Sequence, residues 1–291
     1  MASDDAAVGA GVIHDIGYQR YAGPRLGRRH VVTALYLHSL RTAFGLGRSA
    51  AAKIFPGIVV GVAFAAAVVL VAVRSQAGGV IPYTYLQFID GLGIPLIVFL
   101  AVIAPELVSR DLRSRVLPLY FSRPLRRSDY ALAKLAATVS AVWLLLAGPL
   151  LLIFLGGAFS RSGGASAVWR EFTDFLGGLG YAAMTAVVLG AFAVPLASLA
   201  SRRAIAAVVI VVGFVATAPV IGVVNAIGGA TAQQLSPLVN PATLLTGLEA
   251  WIYRDEKLDV GRYGPLYLLV AVALVTACVA ALIARYRKVT V

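Results

Sequence analysis

This chain of 291 residues is short of almost everything that water-soluble chemistry uses. It has a single cysteine, Cys278, inside an apolar run, which excludes an internal disulfide framework and a thiolate metal site. Its three histidines, His14, His30 and His38, all fall in the first forty residues, so no histidine cluster stands further along to ligate a metal. It lacks G-x-x-x-x-G-K-[ST], the phosphate cradle needed to bind and hydrolyse ATP. H-E-x-x-H and G-x-S-x-G are missing too, which removes the common zinc-peptidase and serine-hydrolase patterns. Acids are scarce: 13 Asp and Glu stand against 25 Lys and Arg, and charged residues make up only 13% of the chain.

What is abundant is apolar sequence. Six long runs occupy about residues 54–73, 85–104, 130–159, 175–199, 204–227 and 264–284. Crossing a hydrocarbon core takes roughly 20 apolar residues in a helix. Backbone groups in lipid must satisfy one another, so each run is expected to be helical. The expected fold class is an all-α integral membrane protein with six transmembrane helices. No apolar run precedes residue 54, so no cleavable signal is expected and the first span is itself the anchor.

The basic residues set an orientation. Nineteen Lys and Arg lie in residues 1–53, in the loop between spans two and three, between spans four and five, and after span six; six lie in the other gaps. Short loops rich in Lys and Arg stay in the cytoplasm, which predicts both termini inside. The formal net charge of +12 is then chiefly a topology signal, with anionic lipid headgroups as its simplest partner and no nucleic acid required. Many Ala and an excess of Arg over Lys suggest a bacterial source, hence a bacterial plasma membrane. The span interiors hold few ionisable residues, which disfavours an ion-coupled carrier; Asp90, near one end of span two, is the single candidate there.

Residues 1–29 read as a loosely ordered cytoplasmic segment, 30–53 as an amphipathic helix and its connector, and 54–291 as the six-span domain. Within 30–44, Leu35, Leu40 and Phe44 recur at helical spacing while His38 and Arg41 point elsewhere. That pattern suits a helix lying in the membrane interface or one packed on the spans. The loop 105–134 is too long and too charged for a simple connector. Pro105 ends or kinks span two, Leu117 and Leu119 stand among arginines, Pro124 marks a turn, and Ser128 with Asp129 opens span three. At residue 106, Glu106 has Arg110 four residues on, and Lys134 is a second partner within reach across the loop. On the opposite side, 235–251 is apolar for a loop: it reads either as a re-entrant segment broken at Asn240 and Pro241, or as an interfacial loop anchored by Trp251 and Tyr253.

The loop resembles the first cytoplasmic loop of ABC-2-type transporter permeases, the membrane subunits of ATP-binding cassette exporters. Their pattern is a leading acid, then E-x-E-R-G-T-L-x-L-L-L-x-x-P-x-S-R, then a Gly-Lys opening span three. Here Glu106 and Asp111 match acids, Leu117, Leu119 and Phe121 the apolar run, Pro124 the proline, Arg127 the arginine and Lys134 the lysine. Arg113, Arg115 and Ala133 depart from the pattern at its second acid, first glycine and second glycine. With the preceding amphipathic helix and six spans, the resemblance covers about residues 30–291. It implies a dimer, with itself or a related permease, and two copies of a separate ATPase that binds ATP and Mg, leaving this chain without catalysis or cofactor. It implies a coupling helix at about 112–124, with Glu106, Asp111, Leu112, Arg113, Leu117, Leu119, Phe121, Pro124, Arg127 and Lys134 as the docking set. The apolar spans favour a lipid-like or amphipathic cargo. The alternative is a membrane anchor or assembly factor that recruits a cytoplasmic partner and transports nothing.

Overall fold

The computed structural model describes residues 23, 26–76, 84–114, 117–122, 124–160, 164–254, 258 and 260–288. Among these the secondary structure is helical, with no strand. The helices are α1 (Arg28–Ala43), α2 (Ala50–Gln76), α3 (Tyr85–Gly91), α4 (Gly93–Leu107), α5 (Ser109–Arg113), α6 (Leu117–Phe121), α7 (Arg127–Ser160), α8 (Gly164–Leu199), α9 (Arg203–Val215), α10 (Ala218–Ile227), α11 (Ala230–Leu235), α12 (Pro241–Tyr253) and α13 (Gly264–Lys288). Short 3₁₀ turns precede α12 and α13.

Six stretches are long and apolar enough to cross a membrane: Ala50–Gln76, Gly93–Asp111, Arg127–Phe159, Gly164–Leu199, Arg203–Ile227 and Gly261–Lys288. The chain is a multi-pass, all-α membrane protein. Three boundaries differ from the sequence reading. Span two starts at Gly93, not near 85, because Gly91, Gly93 and Pro95 interrupt the helix at Leu92. The preceding α3 is a separate short helix fixed by a capping box, in which Gln87 N–H donates to Thr84 Oγ1 and Thr84 N–H to Gln87 Oε1. Span four begins at Gly164, well before 175, and so takes Glu171 and Asp174 into the helix. Span five breaks at Ala216–Thr217, just before Pro219.

The most buried spans are α4 and α8; α2, α9–α10 and α13 are the least. Helix α7 packs on both α8 and α2, α4 on α9, and α13 on α8. Gly57 and Gly61 of α2, a candidate close-packing pair, meet no other atom of this chain where a side chain would begin. Ion pairs and hydrogen bonds bring the starts of α2, α7 and α9 to one end of the bundle with the ends of α4, α8 and α13. That is the end richest in arginine, here the basic end. At the opposite end the start of α8 meets the end of α2, the start of α3 and the end of α12.

Helix α1 turns its apolar face to the bundle. Leu35 and Ala43 are buried, and Leu40 and Phe44 half-buried, against the main core. Tyr36 hydroxyl donates to Ser140 Oγ at 2.9 Å, the Arg28 guanidinium grips Asp129 at 2.5 and 2.6 Å, and the Phe44 ring lies 6.1 Å from that of Phe99. Of the two readings of this amphipathic helix, packing on the spans is the one its contacts make. Arg29, His30, His38 and Arg41 occupy the outer face, so little apolar surface besides Leu37 is left for lipid.

Candidate functional site

The loop between α4 and α7 folds as two short helices, α5 and α6, rather than one. Pro105 does not end α4; the helix runs to Leu107 and turns at Val108, which leads into α5. Ser109 Oγ there donates to the Ala197 carbonyl at the end of α8, 2.8 Å away. At the start of α7 the side chain that caps is Asp129, not Ser128: it accepts from the Arg126 backbone N–H at 3.2 Å while holding Arg28.

Two carboxylates organise this end. Asp111 accepts from the Tyr130 hydroxyl at 2.6 Å and pairs with Lys134 Nζ at 2.9 Å. Lys134 is buried, with its ammonium 5.4 Å from the centre of the Tyr130 ring. The Tyr130 ring is itself packed between Tyr120 and Tyr286, at 5.6 and 5.1 Å. Burial pushes the Tyr120 hydroxyl above its ordinary range, and the nearby Asp111 charge adds to the shift. Arg127 donates to the Arg287 carbonyl at 2.7 Å, and Arg285 to that of Ser198 at 2.7 Å, so α13 is tied to α7 and α8.

Glu106, at the end of α4, gathers three arginines. Arg110 is paired at 2.9 Å, and Arg48, just before α2, and Arg203, at the start of α9, are also in ion-pair contact. The i, i+4 pair with Arg110 is therefore present. The reach to Lys134 is not: Asp111 is closer along the loop and takes the lysine instead. Arg48 and Arg203 went unnoticed in the sequence because they lie 58 residues before and 97 after Glu106, and only the packing of α2, α4 and α9 unites them.

The loop's apolar residues divide between the two sides of α6. Leu117 is buried at 4% exposure, whereas Leu119 is 70% exposed. Arg113 and Pro124 are exposed. The side chains of Leu112 and Phe121 lie outside the described residues, although both positions are helical. The docking set is thus split: Glu106, Asp111, Leu117, Arg127 and Lys134 fasten the loop to the bundle, while Arg113, Leu119 and Pro124 face away from it.

At the opposite end the expectation of nearly charge-free interiors needs correcting. Glu171, within α8, is 1% exposed; it accepts from the Tyr85 hydroxyl at 2.5 Å, with Arg74 at 3.6 Å. Asp90 accepts from the Tyr181 hydroxyl at 2.7 Å, and Glu249 of α12 is fully buried beside the same tyrosine. Glu171 and Glu249 fall outside the six apolar runs, because span four is read as starting at 175 and 235–251 as a loop; Asp90 is the one acid expected within a span. The tyrosine partners of Glu171 and Asp90 lie 86 and 91 residues away in the chain, a separation that carries no pairing signal in sequence.

Asn240 is buried and caps α12 by accepting from Ala242 N–H at 2.8 Å. Its amide donates to the Phe214 carbonyl at 2.5 Å and to Thr217 Oγ1 at 2.8 Å, which meets the backbone broken between α9 and α10. Pro241 is the first residue of α12 and buried, as suits a proline at that position. Trp251, at the far end of α12, lies half-exposed against Gly264.

No metal-holding group of three or more His, Cys, Asp or Glu occurs among the described residues. Comparison with protein-family models gives no match, and comparison with curated proteins gives none.

Proposed function

We propose that this chain is the permease subunit of an ABC-2-type ATP-binding cassette transporter in a bacterial plasma membrane, with the basic end and both termini cytoplasmic. It forms the path for a lipid-like or amphipathic cargo, dimerises with a second permease, and is driven by two copies of a separate ATPase that binds ATP and Mg. The observation that carries this reading is the α5–α6 loop, which is rigidly tied to the spans yet presents a bare leucine. Leu117 and the Asp111–Lys134–Tyr130 contacts hold it, and Leu119 points outward. A partner pressing on Leu119 would act on α4 and α7 through Leu117 and the Asp111–Lys134–Tyr130 contacts. In this reading α11, α12 and their turns close the outer side, with Asn240 and Pro241 as the break.

The test is co-expression with a Walker-motif ATPase encoded beside it. Leu119→Asp should leave the permease in the membrane and reduce ATPase co-purification at least tenfold. Undiminished, stoichiometric co-purification would remove the docking assignment. An ATPase that binds normally while no cargo moves in liposomes would favour the non-transporting anchor.

Buried Glu171 supports a second reading, an ion-coupled carrier, since intramembrane acids commonly serve proton relays. Transport by the wild type across pH 6–8 that loses its pH dependence in Glu171→Gln would favour it. Unchanged profiles, together with an absolute requirement for ATP, would leave the permease reading standing.

A further inference from the structure

The Glu106 cluster contains more cation than the chain neutralises. Three guanidinium groups carry about five N–H donors each, against about four acceptor sites on one carboxylate. Arg48 and Arg110 share one Glu106 oxygen and Arg203 takes the other. The group keeps a charge of +2, and the Arg110 and Arg203 side chains are each more than half exposed.

The surface leading to it is apolar. Ile94, Val98 and Val102 are exposed on α4 and form an i, i+4 ridge whose next member is Glu106. Ile54, in the first turns of α2, and Ile205, in the first turn of α9, are exposed on the helices flanking this one. From Ile94 to Glu106 the ridge runs about 18 Å, close to half of a ~30 Å hydrocarbon core. An apolar strip one leaflet deep thus ends under three arginines at the level where headgroups lie.

We propose that this surface binds an anionic phospholipid, with its phosphate held between Arg48, Arg110 and Arg203 and an acyl chain along the Ile94–Val98–Val102 ridge. A phosphate oxygen array suits several guanidinium groups at once. A second copy of this chain is a poorer occupant. Among the described residues of the basic end, Glu106, Asp111 and Asp129 are all engaged in ion pairs within their own chain, so none of these three stands ready to offset the charge on a copy. The site is independent of any transport role, so its failure and that of the permease assignment are separately visible.

The experiment is native mass spectrometry of the detergent-purified full chain, titrated with phosphatidylglycerol and with phosphatidylcholine of the same acyl composition. Phosphatidylglycerol should be retained preferentially, and Arg110→Gln/Arg203→Gln should lower its retention at least fivefold. Arg29→Gln/Arg41→Gln, which removes equal charge from the outer face of α1, should change it less than twofold. Glu106→Gln removes the competing anion and should raise retention, the opposite of what a damaged fold would do.

Equal losses in both double variants would reduce the site to general surface charge and overturn the proposal, as would equal retention of the two lipids or weaker retention in Glu106→Gln. Complete displacement by millimolar glycerol 3-phosphate would replace the lipid with a free phosphate ligand. A lipid-free dimer that Arg110→Gln/Arg203→Gln converts to monomer would assign the surface to a second copy and overturn the proposal.

Discussion

At the scale of single residues, Asp111 and Lys134 form the pair most sensitive to change. Lys134 is buried, and Asp111 is its ion-pair partner in the structure. Removing one member of a buried pair leaves a charge without compensation, which costs about 3–5 kcal/mol, whereas replacing both by apolar groups of similar volume is often close to neutral. Asp111→Asn is therefore expected to lower the thermal midpoint of the detergent-solubilised chain sharply. Adding Lys134→Met to Asp111→Leu should recover most of the loss. If the double variant is no more stable than Asp111→Asn, the lysine is not the source of the cost. Glu171 and Asp90 at the other end, like Asp111, each accept from a tyrosine hydroxyl.

At the scale of elements, α12 and α13 approach so closely that two glycines are required. A Cβ on Gly247 would lie 2.0 Å from Tyr267 Cε1, and one on Gly264 would lie 2.0 Å from Trp251 Cδ1. The Tyr267 ring has no room to retreat, because its hydroxyl donates to the Gln234 carbonyl at 2.6 Å and the residue is fully buried. Gly247→Ala should therefore destabilise the chain by about 1–3 kcal/mol, the usual cost of overpacking. Gly222→Ala, in α10 with nothing near its missing side chain, should be neutral or mildly stabilising, since alanine is the better helix former. Parallel thermal melts decide it; equal behaviour of the two variants would mean that α12 is not packed on α13 in this way.

At the scale of the whole molecule, orientation rests on the asymmetry of basic residues and is open to direct measurement. After Cys278→Ser removes the one native thiol, cysteine at Thr231 should react with an impermeant maleimide in intact cells. Cysteine at Ser122 should react only after permeabilisation. Both positions are exposed. Labelling of Ser122→Cys from outside would invert the topology and remove the cytoplasmic docking role proposed for α6.

The six long apolar helices and the all-helical class were legible in the sequence, because they depend on local composition. Twenty apolar residues in a row must hide their backbone groups in a helix whatever their neighbours do. Helix breaks were partly legible: Pro105 and Asn240-Pro241 were read as break points, but α4 runs past Pro105 to Leu107, while span five, read as unbroken, turns out of a helix at Thr217 just before Pro219. A proline's effect depends on whether neighbouring groups satisfy the carbonyls near it, and for α9 that neighbour is Asn240, 26 residues beyond Phe214.

What only tertiary structure decided is which charge meets which. Sequence placed Glu106 beside Arg110 because four residues is one helical turn. It could not choose between Lys134 and the distant Arg48 and Arg203, since proximity across 58 or 97 residues is set by how α2, α4 and α9 pack. In the same way an apolar stripe on α1 is identical whether it faces lipid or protein, and contact with α7 and α4 is what turns it inward. Hydrophobicity and net charge are sums over a segment and survive any arrangement of it. Ion pairs and buried faces belong to pairs of segments, and exist only once the helices have found their neighbours.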